Sequence, residues 1–409
     1  MSSSILHKNK QRIIVALLIG ISLDSFYLYE ISIHIISVVS FSVLAFLSFF
    51  GYFGKSHLRS YGRADNIIIL FYLLLLFLGF ASLIFFQAYP LPKKIIALGV
   101  LIIATIIASN SYKKIDLKSY LSAYLIFHSF FFYIQLFAFL ILGISIDYLV
   151  QITGEAQRHS GGLTLPLIGF FERFSGLFNE PGGYAVHLAP FIALFSRYYH
   201  LSKKYRVVFY ISILSIIISL SVYGIVFAFF IIFFNSYISK SKKIIFSLCS
   251  MPLALTFLYE RFILKAQGGH STGISFRENF IMESYSFLTQ NLESFLFGAG
   301  LLRNDARAVF YGAFNDVGLF FYILHFSGII GLLFVLFLIF YVFLKKDRSS
   351  SIAIIIVFAS KLSLLSLHFP FILSAILFME KDNIVFLSKK LTGKGFIISK
   401  YLKRIKNKK

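Results

Sequence analysis

Two short stretches of this chain combine guanidinium groups, carboxylates and glycines in a way that suits chemistry on an anion. The first reads Arg173-Phe-Ser-Gly-Leu-Phe-Asn-Glu-Pro-Gly-Gly-Tyr-Ala185. Pro181 and the glycines behind it suit a tight turn into a helix, and Asn179 or Glu180 can cap that helix and favour its positive end. Arg173 has no such local task. It is a fixed cation among phenylalanines, where an anionic head group is a natural partner. The second stretch carries Gly273-Ile-Ser-Phe-Arg277-Glu278, an amphipathic run over 279–297, then Phe297-Gly-Ala-Gly300 and Arg303-Asn-Asp-Ala-Arg307. Arg277 with Arg303 or Arg307 offers a pair of guanidinium forks, which match phosphate oxygens better than lysine does. The competing assignment is structural: the same arginines can pair with Glu278, Glu283 or Asp305 on a solvated loop.

The elements that must hold these stretches are apolar. Hydrophobic residues fill 58% of 409 positions and charged residues only 14%, too apolar a balance for a surface in water. The apolar runs are unbroken rather than alternating, so a bilayer crossed by helices is the expected setting. The fold class expected is all-α, a polytopic integral membrane protein with about twelve transmembrane helices. They fall at 13–29, 32–53, 66–86, 95–110, 120–145, 183–198, 207–220, 223–237, 244–259, 319–343, 351–366 and 369–380. No stretch between them reaches the length of a soluble domain. The whole chain, 1–409, therefore reads as one multi-pass membrane domain with two longer loops, 147–182 and 260–318. Lys8, Lys10 and Arg12 precede the first run without a small-residue cleavage site, so that run reads as an uncleaved helix.

Charge sets the orientation. The net charge of +22 comes from short basic clusters between the apolar runs, such as Lys113, Lys114 and Lys118, or Lys240, Lys242 and Lys243. That distribution is the positive-inside signature rather than a nucleic-acid footprint. It places both termini and the basic loops in the cytoplasm and the two longer loops outside. Basic clusters flank both ends of 207–235 and of 350–378, so each run reads as a tight pair of short helices that do not fully span. The single Cys249 excludes an intrachain disulfide. There is no Asp-x-Asp pair, no His/Glu cluster at ligand spacing and no Walker A loop, so neither a metal, a cofactor nor a nucleotide is expected. His34, His128, His187, His325 and His368 fall in five separate helices and read as buried hydrogen-bonding residues. Lys361, placed inside the expected 351–366 helix, either faces an anionic substrate or snorkels near Pro370.

Arg-x-x-Gly-x-Phe-x-Glu-Pro before a helix, then Arg277, then the Phe-Gly-Ala-Gly turn, then Gly328-Ile-Ile-Gly331 together resemble the bacterial O-antigen polymerases, called Wzy, and the related O-antigen ligases. The resemblance covers roughly 173–343 and the overall helix count. It implies a GT-C-like glycosyltransferase of the bacterial plasma (inner) membrane with its active site facing the periplasm. Its donor would be an undecaprenyl-diphosphate-linked oligosaccharide, moved onto a sugar hydroxyl of another lipid-linked repeat unit. A chain-length regulator and a flippase would be its partners. Arg173, Arg277, Arg303, Arg307 and Lys361 are the candidates to bind the diphosphate, whose leaving charge needs cations. Glu180, Glu278 and Asp316 remain equally open as the base for the acceptor hydroxyl. Where the ligases carry a His-Asn pair, this chain reads Ala313-Phe314-Asn315-Asp316, a departure that favours polymerase over ligase. A polysaccharide flippase or other transporter is the alternative of another class. Against it stand the lack of an internal repeat and the gathering of charge in the outer loops.

Overall fold

The computed structural model describes residues 63–87, 92–112, 116–153, 156–157, 163–165, 169–259, 273–302, 317–366 and 368–379. The expected helices at 13–29 and 32–53 and the basic C-terminal tail lie outside these. In chain order the described elements are α1 (Arg63–Phe85), α2 (Pro92–Tyr112), α3 (Leu117–Phe137), α4 (Tyr148–Thr153), β1 (Leu163–Leu165), β2 (Gly169–Phe171), α5 (Pro181–Phe195), α6 (Lys203–Ile218) and α7 (Val222–Phe234). They continue as α8 (Lys240–Tyr259), α9 (Gly273–Leu288), α10 (Leu292–Phe297), α11 (Leu319–Lys345), α12 (Arg348–Ala359) and α13 (His368–Phe378).

Each expected apolar run within the described residues contains a helix, although the expected 351–366 helix ends at Ala359. Three stretches, Asn66–Phe85, Leu117–Leu142 and Leu319–Lys345, are long and apolar enough to cross a membrane. Their outward faces are greasy. Leu70, Leu73, Phe77, Phe80 and Ile84 recur at helical spacing along α1 and are all exposed, a stripe that lipid rather than water would cover. The runs 207–235 and 350–378 do each divide into two short helices, α6 with α7 and α12 with α13. One departure from the all-α expectation is the antiparallel hairpin β1–β2, with Leu163 opposite Phe171. Strands of three residues are too short to leave an alternation that sequence reading can detect.

α5 is the hub. Ala185, Ala189 and Ala193 repeat every fourth residue and are fully buried, giving the small-residue face that lets helices approach closely. α3, α6, α7, α12 and α13 all pack on it. Gly224 of α7 is wedged between α6 and α5: an added Cβ would lie 2.1 Å from the Ile216 carbonyl oxygen of α6 and 3.2 Å from Ala185 Cβ of α5. α12 runs antiparallel to α5 and is fastened at both ends. At one end Ser196 Oγ meets Ser349 Oγ at 3.1 Å and Arg197 faces Asp347 at 3.8 Å. At the other, Lys361 just beyond α12 pairs with Glu180 just before α5.

α11 is two helices joined at Gly328, whose φ of 60° and ψ of −161° interrupt the ladder. The break frees the carbonyls of His325 and Phe326, and the Phe-Gly-Ala-Gly turn takes them: Ala299 N–H donates to His325 O at 2.7 Å and Gly300 N–H to Phe326 O at 3.1 Å. Glycine is required on both sides. A Cβ on Gly298 would lie 2.5 Å from the Gly328 nitrogen, and one on Gly328 would lie 2.4 Å from Leu296 O. The two glycine motifs singled out in the sequence are thus the two halves of one joint.

Candidate functional site

The residues from Arg173 to Pro181 form a turn at the N-terminal end of α5, held by contacts of Arg173, Gly176, Phe178 and Glu180. Arg173 is buried and its Nε donates to Leu220 O at 3.1 Å. Leu220 closes the α6–α7 hairpin at a φ of 49°, a conformation costly for a branched side chain. The guanidinium therefore holds a strained turn from above. Gly176 has a φ of 58°, and an added Cβ there would touch the backbone of His128 and Phe132. Phe178 then inserts among the rings of His128, His187, Tyr184 and His368.

Two glutamines pin this turn. Gln135 Oε1 accepts from the Gly176 N–H at 2.8 Å and its Nε2 donates to Gln157 Oε1 at 2.8 Å. Gln157 Nε2 in turn donates to Gly176 O at 2.7 Å and Phe178 O at 2.8 Å. Both are buried, so these bonds satisfy groups that would otherwise be costly orphans. Sequence reading passed over both. The signal available was Gln135 inside an apolar run, where a polar amide needs a partner.

Glu180 is the N-cap residue of α5 with extended backbone, φ −145° and ψ 155°, and Pro181 occupies the first helical position. Its carbonyl accepts from Tyr184 N–H at 3.0 Å, but its side chain makes no capping bond. The expected side-chain cap is therefore absent, because the carboxylate is engaged by Lys361 instead. The Lys361 side chain is 15% exposed and that of Glu180 35%. An added Cβ on Gly182 would lie 3.3 Å from Lys361 Nζ, so the bare glycine leaves the ammonium room against the start of the helix.

Lys361 is not inside a helix as expected. α12 stops at Ala359 because Ser360 turns extended, at φ −90° and ψ 171°, and serine hydroxyls take over the local bonding. Ser360 Oγ donates to Val357 O at 2.9 Å and accepts from Leu362 N–H at 3.2 Å. The Ser360 carbonyl accepts from Leu319 N–H at 2.7 Å, which brings the start of α11 to the residue before Lys361. Nor does Lys361 snorkel near Pro370; it turns to Glu180.

The other sequence candidates are distributed as follows. Glu278 is on α9 and exposed. Arg277 lies one residue before it on the same helix, with its side chain outside the described residues. α9 docks on α11 through Ser284 Oγ and His325 Nδ1, 3.0 Å apart. Ile281, Leu288, Val317 and Phe321 help line an apolar cavity of about 120 Å³ between the two helices. Arg303, Arg307 and Asp316 lie outside the described residues. The structure therefore brings Glu180 and Lys361 together and turns Arg173 toward the hairpin.

The histidines are less scattered than their spacing implied. His187 and His368 meet edge to face with centroids 4.3 Å apart, and Phe178 lies 5.0 Å from both His128 and His187. His187 Nδ1 lies 2.7 Å from Gly183 O. A carbonyl only accepts, so Nδ1 carries a proton in this contact. Among the described residues no group of three or more His, Cys, Asp or Glu is placed to hold a metal ion. The arrangement can pair an anion with Lys361 in exchange for the Glu180 carboxylate. No protein-family model matches the chain, and no curated protein or solved structure is similar to it.

Proposed function

We propose that this chain is a surface-polysaccharide polymerase of the O-antigen type. It transfers a glycan from undecaprenyl diphosphate to the sugar hydroxyl of another lipid-linked repeat unit on the outer face of the plasma membrane. In this reading the chain crosses the bilayer about twelve times in a GT-C-like arrangement, with both ends cytoplasmic and its chain-length regulator and flippase beside it.

The observation that carries the proposal is the Glu180–Lys361 pair. It joins the residue before α5 to the region where α11 begins, the ends of the two outer segments in this reading. A lipid diphosphate needs a cation at interface depth and the acceptor hydroxyl needs a base beside it. An incoming diphosphate competes with Glu180 for Lys361, and a carboxylate released in that exchange is free to take the hydroxyl proton. Arg277, Arg303 and Arg307 would complete the anion site from the second outer segment, with Glu278 and Asp316 as the alternative bases.

The test is lipopolysaccharide analysis in a strain lacking the native gene. The wild-type chain should restore a ladder of repeat units, and Glu180→Gln and Lys361→Ala should leave a single-repeat cap. If the strain without the gene adds no sugar at all, the chain is a ligase or a flippase. The break at Gly328 and the short paired helices favour the transporter as the second reading, since transporters use discontinuous helices around their sites.

A further inference from the structure

We propose that the basic end of the bundle, where α6, α8 and α12 begin, is a binding site for the head group of an anionic phospholipid. Lys242, Lys243 and Arg348 would hold the phosphate, and the apolar residues beside them the acyl chains. This is independent of the reaction proposed above.

Helix N-termini carry partial positive charge, and acids normally complement it. α6 and α8 do the reverse, and α12, though capped by Asp347, adds a further cation in its first turn. α6 opens on Lys203, Lys204 and Arg206, α8 on Lys240, Lys242 and Lys243, and α12 on Arg348, with no acid in any of these first turns. Contacts bring the three starts to one end: Ser349 of α12 meets Ser196 and Asp347 faces Arg197, on the segment that runs directly into Tyr199. Lys242 Nζ is 3.5 Å from the Tyr199 hydroxyl, which bonds the Tyr210 hydroxyl of α6 at 2.8 Å. Lys243 Nζ folds back to donate to Phe233 O at 2.6 Å.

Counter-charge is missing. The acids described at this end, Asp347 and Asp116, are both committed. Asp347 accepts from Ser350 N–H at 3.1 Å and faces Arg197. Asp116 accepts from the Ser119 hydroxyl at 2.8 Å and faces Lys118 at 3.4 Å. Among the described residues no carboxylate forms an ion pair with Lys242, Lys243 or Arg348. Burial and the charge of Arg348 pull the Lys243 ammonium below the usual lysine range. Asn235, buried at the end of α7, has a side-chain N–H₂ without an acceptor at the same corner. Cations and donors meet here with nothing anionic between them.

The surroundings distinguish a lipid from a free phosphate. Phe233, Phe234, Ile244, Ile245 and Leu248 are exposed next to the cations. The bonded Tyr199 and Tyr210 hydroxyls lie beside Lys242, and tyrosine is enriched at membrane interfaces. A basic corner over an apolar face on the cytoplasmic side matches an anionic head group with its chains.

The test uses the full-length protein in nanodiscs of phosphatidylcholine, with and without phosphatidylglycerol, and native mass spectrometry to count retained lipids. The wild type should retain phosphatidylglycerol over phosphatidylcholine by about tenfold, which corresponds to roughly 1.4 kcal/mol. Lys242→Gln/Arg348→Gln changes only exposed side chains and should abolish that preference. Lys243→Arg/Arg348→Lys should keep it, and Lys118→Gln should leave it unchanged. Equal retention of the two lipids by the wild type, or an undiminished preference in the Gln double variant, overturns the proposal. So does loss of the preference on adding inorganic phosphate, which would mark a site for free anions.

Discussion

A single methyl group separates two kinds of glycine in this protein. At Gly176 the demand is conformational: φ is 58° and an added Cβ would make only ordinary contacts, at 3.4 Å and beyond. Gly176→Ala should therefore cost about 1 kcal/mol, the usual left-handed penalty. At Gly224 the demand is spatial. A Cβ would sit 2.1 Å from a backbone oxygen that cannot yield, so Gly224→Ala should prevent α7 from docking and give little folded protein. Thermal unfolding in detergent should rank the two in that order, and equal midpoints would show that the α6–α7 approach is looser than described. The motif from Arg173 to Ala185 was legible as a unit because proline and glycine punctuate it locally. Its partner Lys361 was not, since 181 positions separate the two charges and only the fold of α5 against α12 joins them. Arg173 was legible as a cation in need of an acceptor, but the acceptor is a backbone carbonyl made available by the strained Leu220 turn.

Element by element, hydrophobic runs gave the helices and little else did. The breaks in 207–235 and 350–378 were readable because basic clusters flank runs too short to be crossed twice at full length. α12 and α13 have 12 and 11 residues, about 18 Å and 16 Å long, well short of the roughly 30 Å hydrocarbon core. α4, α9, α10 and the β1–β2 hairpin lack a long apolar run and were not resolved from their loops. Gly328 is where pattern and structure part: an uninterrupted apolar stretch conceals a break that only glycine permits. Gly328→Ala should eject the Phe297–Gly300 turn, because its Cβ would meet Leu296 O at 2.4 Å. The amides of Ala299 and Gly300, now bonded across the joint, should then exchange with deuterium much faster. Unchanged protection would mean that α11 can break without its glycine.

At the level of the whole molecule, charge predicts which end faces which compartment. With Cys249 replaced, cysteines at Arg158 and Arg277 should react with an impermeant reagent from outside, and a cysteine at Lys242 should not. Reaction at Lys242 would overturn both the orientation and the short-helix pairing around it. The hub position of α5 has a consequence for how the protein is made. Short helices such as α7, with 13 residues, α12 and α13 are poor substrates for membrane insertion one at a time, because insertion machinery judges each segment largely by its own apolar length. α5 is synthesised ahead of all three, with its alanine face ready for them. Assembly can therefore proceed as recruitment to a template already in place, with the order of translation matching the order of docking, and a ribosome that stalls before α12 would leave that template half covered and open to the quality-control proteases of the membrane.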